Sequence, residues 1–393
     1  MVYFPWEVDH IKDVFLKLVI ALYYAAQGVF LPYLPVLFKN QGFPYWQIGI
    51  LLAIGPIINI LTQSAWGYFC DKLQTVKKLL LLQLAISTVL SIFILHFHSF
   101  WGLLAYLTVF YFFYRPLPSL IDTLTVNAVK DRPTRYGNYR MFGSLGFTLA
   151  ALGSGYLLNR LGVQNSPYLI SVLLGLNLLC ALQVHDAKYI CSPPRLRDLT
   201  GLVKKPEVLQ FLLAATLLGT TQAANDNFIS VHLQNLGGSI KDTGLAWTVG
   251  VTAEIIAFFV ISRLHFRRRM LSILGFTSLL YGTRWLLMAY VTSIKLILVI
   301  QLLHGTCYAL FLTAVQNHLL KTIPDQLRAT GQGLLYMTVF GLGGVLGITG
   351  GGALMGRFGA QGFYLTCLFF TLGAFMVFNR LKKKVASPSR TQQ

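Results

Sequence analysis

The sequence predicts an all-α membrane protein, with twelve transmembrane helices arranged as two pseudo-symmetric bundles of six. Three observations predict it. Of 393 residues, 55% are hydrophobic and only 11% charged, against about 25% charged in a soluble chain, and mean hydropathy is +0.62. Apolar runs at 79–97, 271–290 and 363–378 approach the ~20 residues that cross a hydrocarbon core. Lipid offers the backbone no hydrogen-bond partner, so such runs must be helical. Finally, basic residues crowd into alternate loops.

Taken in order, the first six spans fall at about 14–38, 46–68, 77–97, 101–127, 138–160 and 166–184. The first contains Gln27, Pro32 and Pro35 and runs past a signal-peptide core, so it reads as a span, not a cleaved leader. The second six fall at about 207–232, 242–262, 270–290, 295–319, 331–355 and 360–379. Residues 185–206 are the longest polar stretch, with Pro193, Pro194, Arg195, Arg197, Lys204 and Lys205. The expected domains are therefore an N-terminal bundle over 1–184, a cytoplasmic linker over 185–206, a C-terminal bundle over 207–380 and a cytoplasmic tail over 381–393.

Loops on one side hold Lys72, Lys77 and Lys78, then Lys130, Arg132 and Arg135, the linker, Arg263 with Arg267, Arg268 and Arg269, and Lys321 with Arg328. The tail adds Lys382, Lys383 and Lys384, while the opposite loops carry single cations such as Lys39, Arg160, Lys241, Lys295 and Arg357. The positive-inside rule then places both termini in the cytoplasm of a multi-pass protein of the cell (inner) membrane. This distribution also explains the net charge of +19 without nucleic acid, since the cations form no single basic face.

The halves repeat. Asn40-Gln41-Gly42 matches Asn235-Leu236-Gly237 at an offset of 195, which sets Gln27 on Gln222 and Asn59 on Glu254. Arg160-Leu161-Gly162 similarly resembles Arg357-Phe358-Gly359. Parallel repeats of this kind enclose a substrate site near the bilayer midplane. Cys70, Cys180, Cys191, Cys307 and Cys367 form no CxxC pair and read as small apolar residues, with no disulfide framework, metal site or cofactor. No phosphate-binding Walker loop appears, which argues against a primary pump, and no nucleophile–base spacing marks an enzyme.

Gly67-Tyr68-Phe69-Cys70-Asp71-Lys72 resembles the loop signature of the major facilitator superfamily, G-x-x-x-D-(R/K) followed by G-R-(R/K). Its small Gly permits close helix approach and its Asp can cap a helix or pair across the half. Gln74 replaces the second glycine, and the basic pair is delayed to Lys77 and Lys78. A closer resemblance, to the phenylpropionate-permease-like and lactose-permease-like proton symporters, spans nearly the whole chain. It rests on Gly28-Val-Phe-Leu-Pro32-Tyr, Pro118-Ser-Leu-Ile-Asp122, Tyr136-Gly-Asn-Tyr-Arg140-Met-Phe-Gly, Ala253-Glu254, Thr283-Arg284-Trp285 and Leu302-Leu303-His304-Gly305.

The resemblance implies that Asp122 and Arg140, eighteen residues apart like the sugar-binding acid and arginine of the lactose permeases, bind substrate. It also implies a proton-relay cluster of Glu254, Arg284 and His304. Cys307 stands where the lactose permease has an essential acid three residues after the histidine, so Glu254 is the better proton candidate. A charge at a helix centre costs about 2.5–3.5 kcal/mol on insertion scales, so it persists only with a partner or a role. The bland alternatives are a structural Asp122–Arg140 pair and a His304 bonded to a neighbouring carbonyl. Arg115, two turns before Asp122, is a second candidate to neutralise it.

Gln27, Asn59 with Gln63, Gln222 and Asn225 are further cavity candidates, and Asp226 is a second intramembrane acid. Glycines 341, 343, 344, 347 and 350–352 suit close packing and rocking. The expected function is alternating-access, proton-coupled symport of a small organic solute: a sugar, nucleoside or aromatic acid. The protein is expected to act as a monomer. An efflux antiporter is the alternative, weakened because Phe142–Tyr156 lacks the Gly-Pro signature. A non-transporting sensor of the same fold would need a signalling domain, and none is evident.

Overall fold

The computed structural model describes residues 5–129, 136–186, 206–263, 270–323 and 328–386. Among these no β-strand occurs, as the all-α expectation requires. Outside them lie Lys130, Arg132 and Arg135, residues 187–205 of the expected linker, Cys191, Arg267, Arg268 and Arg269, and the end of the expected tail.

The helices are α1 (Pro5–Asn40), α2 (Tyr45–Leu73), α3 (Lys77–Ile92), α4 (Phe100–Tyr114), α5 (Leu117–Ala128), α6 (Tyr136–Leu161) and α7 (Ser166–Ala181). The second series is α8 (Pro206–Asn235), α9 (Ile240–Arg263), α10 (Met270–Tyr290), α11 (Ile294–Thr322), α12 (Arg328–Leu335) and α13 (Gly343–Ala386). A π-helical stretch over Tyr336–Leu342 joins α12 to α13. By length and composition, eight helical stretches among the described residues could cross a membrane. Large side chains such as Trp101 (75% exposed), Leu149 (68%) and Phe369 (73%) point outward, an apolar exterior suited to lipid.

The segments fit the twelve spans, with three differences in detail. The fourth span is two helices, α4 and α5, parted at Arg115-Pro116. Proline has no N–H to donate and crowds the carbonyl four residues back, here that of Phe112. Trp66 Nε1 donates to that orphaned carbonyl at 3.0 Å, which is how a broken helix survives where water is excluded. The eleventh and twelfth spans run together through α13, which bends at Gly359 (φ 65, ψ −171).

The third difference concerns the signature. Gly67 to Lys72 lie within α2, not in a loop, because the helix continues to Leu73. Gln74 then turns the chain at φ 50, the left-handed region that glycine occupies at little cost. The cap on α3 comes from Asp186, not Asp71. The Asp186 carboxylate accepts from Val76 N at 3.0 Å, from Lys77 N at 2.9 Å and from the Thr75 hydroxyl.

The chain divides into two compact units. Unit 1 contains Met1–Phe43, Ile54–Ser192 and Leu233–Thr248; unit 2 contains Pro44–Ala53, Pro193–His232 and Val249–Gln393. Each is pinned by a glycine laid on a neighbouring backbone. In unit 1, a methyl on Gly146 of α6 would strike the Ala21 carbonyl of α1; in unit 2, one on Gly347 of α13 would strike the Thr220 carbonyl of α8. The repeated turns also match in backbone: Gly42 and Gly237 stand at φ 88 and 81, Gly162 and Gly359 at φ 90 and 65.

Candidate functional site

Unit 1 gathers polar groups on α1, α2, α4, α5 and α6. Asp122 is half-buried and accepts from the Tyr136 hydroxyl at 3.3 Å. Arg140, one turn along α6 from Tyr136, lies face-on over the Tyr24 ring with its Cζ 4.2 Å from the centroid. The two charges are within electrostatic reach, yet among the described residues no ion pair of 4 Å or less joins them. Their other lone pairs and N–H groups are thus not consumed by each other. Gln27 is buried and donates to the Tyr23 hydroxyl at 2.7 Å. Asn59 on α2 is half-buried and Gln63, a turn on, is exposed.

Unit 2 holds a denser network on α8, α10 and α11. Gln222 Nε2 donates to both oxygens of Asp226, one turn along α8, at 3.0 Å each. Its Oε1 accepts from Arg284 Nη1 at 3.4 Å. Only this orientation of the amide satisfies both neighbours, since a guanidinium can only donate and a carboxylate only accept. Gln222 therefore stands between the cation and the acid. Arg284 Nη2 also donates to Gln301 Oε1 at 3.3 Å, and the side chain is completely buried.

His304 completes the group. Its Nδ1 is 3.4 Å from Gln222 Nε2 and 3.8 Å from Asp226 Oδ1. The second distance is too long for a hydrogen bond but short enough for an ion pair once the ring is protonated. Asn225 Nδ2 donates to Asp226 Oδ1 at 3.3 Å, and the Tyr364 hydroxyl of α13 donates to Asn225 Oδ1 at 3.4 Å. Trp285 and Tyr364 stack at 5.9 Å beside it.

The sequence-predicted residues thus fall differently from their expected grouping. Arg284 and His304 both reach Gln222, and Asp226 is hydrogen-bonded into the same network by Gln222 and Asn225. Glu254 of α9 is half-buried, and its backbone packs where a methyl on Gly305 would be, next in the chain to His304. Gln301 escaped the sequence reading. Its spacing of three from His304 on one helix was the available signal, since residues at i and i+3 share a face. Tyr136, four residues before Arg140 on α6, offered the same signal, whereas Tyr364 carried none. Among the described residues, no group of three or more His, Cys, Asp and Glu side chains could hold a metal.

This pattern, buried charges on intramembrane helices in two glycine-pinned helical units, defines a membrane transporter of the major facilitator type. The MFS_1 like family model matches residues 14–366, and the chain belongs to that family, one of transporters and not enzymes. The chain is 24% identical over 385 residues to the maltose permease of Geobacillus stearothermophilus, covering 97% of each. It is 27% identical over 337 residues to an Escherichia coli protein named "Probable 3-phenylpropionic acid transporter", covering 81% of this chain and 87% of that one. A crystal structure of the nucleoside transporter NupG shares the fold, with a TM-score of 0.82 at 16% identity over 96% of this chain and 99% of that one.

Proposed function

We propose that this protein is a proton-coupled symporter of a small organic solute, working by alternating access, with substrate held by unit 1 and the proton handled in unit 2. The observation that carries the reading is the Asp226–Gln222–Arg284 network with His304 at its edge. An acid and an imidazole kept together inside lipid-spanning helices form the kind of intramembrane relay that membranes otherwise exclude. Protonating His304 turns a 3.8 Å separation from Asp226 into an ion pair; protonating Asp226 removes an acceptor from Gln222. Either event rearranges α8 against α11, which is what coupling requires. The names of the relatives, a maltose permease and a phenylpropionic acid transporter, support a sugar or an aromatic acid as the solute class, and the NupG fold is compatible with a nucleoside.

The same reading places the protein in the inner membrane as a monomer, both termini cytoplasmic, with Asp226 as the principal proton acid and Glu254 as a second. Purified protein in liposomes tests it. An acid-outside gradient should drive uphill accumulation of the true solute, and Asp226→Asn should abolish accumulation while leaving counterflow exchange. Full gradient-driven uptake in both Asp226→Asn and Glu254→Gln would overturn proton symport through these acids.

A further inference from the structure

Arg115 has no counterpart in the resemblance motifs, and the structure leaves its charge unmatched. It sits at the break between α4 and α5, half-buried. Its Cζ lies 4.9 Å from the centre of the Tyr111 ring. Its Nε is buried without a hydrogen-bond partner. Gly55 of α2 makes room for it: a methyl there would stand 2.5 Å from Nη2 and 2.7 Å from Nε.

The sequence offers Arg115 as a second candidate beside Arg140 to neutralise Asp122, and the cation that acts on Asp122 is Arg140. Among the described residues no carboxylate lies within 4 Å of Arg115. Tyr23, which feels both Arg115 and Asp122, places the two in one neighbourhood, with Tyr23 and Tyr24 in edge contact at 5.2 Å leading on to Arg140. Elsewhere on α1 Lys17 rests over the Tyr139 and Phe142 rings and Asp13 stands one turn before it, so the two together add no net charge. Two guanidiniums and one carboxylate leave this polar face of unit 1 with an excess positive charge.

An excess cation is costly in a membrane helix, and a tyrosine face compensates only part of it. A guanidinium beside a ring keeps N–H donors in its own plane, the geometry that matches a carboxylate. We propose that Arg115 is a substrate-anchoring residue and that the solute carried by this protein bears a carboxylate. This rests on the transporter reading of unit 1 and narrows its three solute classes to the organic acids. Arg115 supplies the counter-charge, while Asp122 and Arg140 orient the rest of the molecule.

The test is a thermal-shift and binding panel on the full-length protein in detergent. Phenylalkanoic acids are set against their own primary amides, a disaccharide and a nucleoside. Stabilisation should be confined to the acids, with each amide weaker by about ten- to a hundredfold, the value of a charge-assisted bond. Arg115→Ser should lose the same factor for acids, and Arg115→Lys should recover part of it. If the Arg115 variants do not fold, Gly55→Ala carries the test: it keeps the arginine but crowds its guanidinium, and should weaken acid binding alone. Equal binding of acid and amide, binding confined to the neutral solutes, or no binding of any acid overturns the carboxylate assignment. Gradient-driven uptake of a neutral solute alongside would show that the symport reading survives without it. Loss of all uptake and exchange, of every solute, would instead sink the transporter reading of unit 1.

Discussion

At the scale of single residues, Arg284 decides most. A completely buried guanidinium whose hydrogen-bond partners are two neutral amides ties α10 to α8 and α11 at once. Arg284→Ala leaves the Oε1 atoms of Gln222 and Gln301 without donors, and the expected loss is about 2 kcal/mol or more of stability, read as a lower melting temperature in detergent. Arg284→Lys should not rescue it, because a point charge cannot reproduce the fork that reaches both amides. Asp226→Asn is a milder change in shape, and its expected signature is functional: folding near normal, exchange retained, accumulation lost. The sequence named Arg284, His304 and Asp226 because charge inside an apolar run is conspicuous. It could not say which acid joins the pair, since Asp226 and Glu254 are both lone acids in apolar helices. Helix rotation put Asp226 on Gln222 and, through it, on Arg284.

At the scale of elements, two local irregularities have identifiable supports. The Phe112 carbonyl released by Pro116 is held by the Trp66 indole. Trp66→Phe should therefore cost at least ~1 kcal/mol, the low end for an unsatisfied buried acceptor. In a Pro116→Ala background the residue at 116 can donate to Phe112 again, and the same substitution should cost about half as much or less; equal costs in both backgrounds would remove the capping role. Gln74 is the second case. Relief of its left-handed backbone is worth ~1–2 kcal/mol, offset by glycine's entropy of about 0.5–1 kcal/mol and by loss of the Gln74 side-chain bond to the Asp71 carbonyl at 2.7 Å, so Gln74→Gly should change stability by about 0.5 kcal/mol or less. Gly347→Val tests the packing in unit 2: its side chain meets the Thr220 carbonyl, and overpacking of this kind costs ~1–3 kcal/mol. The break in the fourth span was legible in Pro116. The cap from Asp186 was not, because 110 residues of chain separate it from Val76.

For the whole molecule, the expectation is transport whose driving force is the proton gradient. For a carboxylate carried with one proton the cycle moves no net charge, so raising the outside pH towards the inside value should bring accumulation down to simple equilibration in liposomes, and collapsing the membrane potential at constant pH difference should have the smaller effect. Hydropathy, basic loops and the repeated turns were enough to read a membrane-embedded, all-helical chain with an internal repeat, and the motifs resembling known symporters supplied the transporter class. Each of these signals is local: an apolar run needs a helix wherever it lies in lipid, and a repeat is visible letter by letter. Tertiary structure alone decided that Gln222 stands between Arg284 and Asp226, that Asp122 does not pair with Arg115, and that Asp186 caps α3. The Arg284–Gln222 contact and the Asp186 cap join residues 62 and about 110 positions apart. Helical periodicity fixes the faces of one helix but carries no information about which face of another helix it meets.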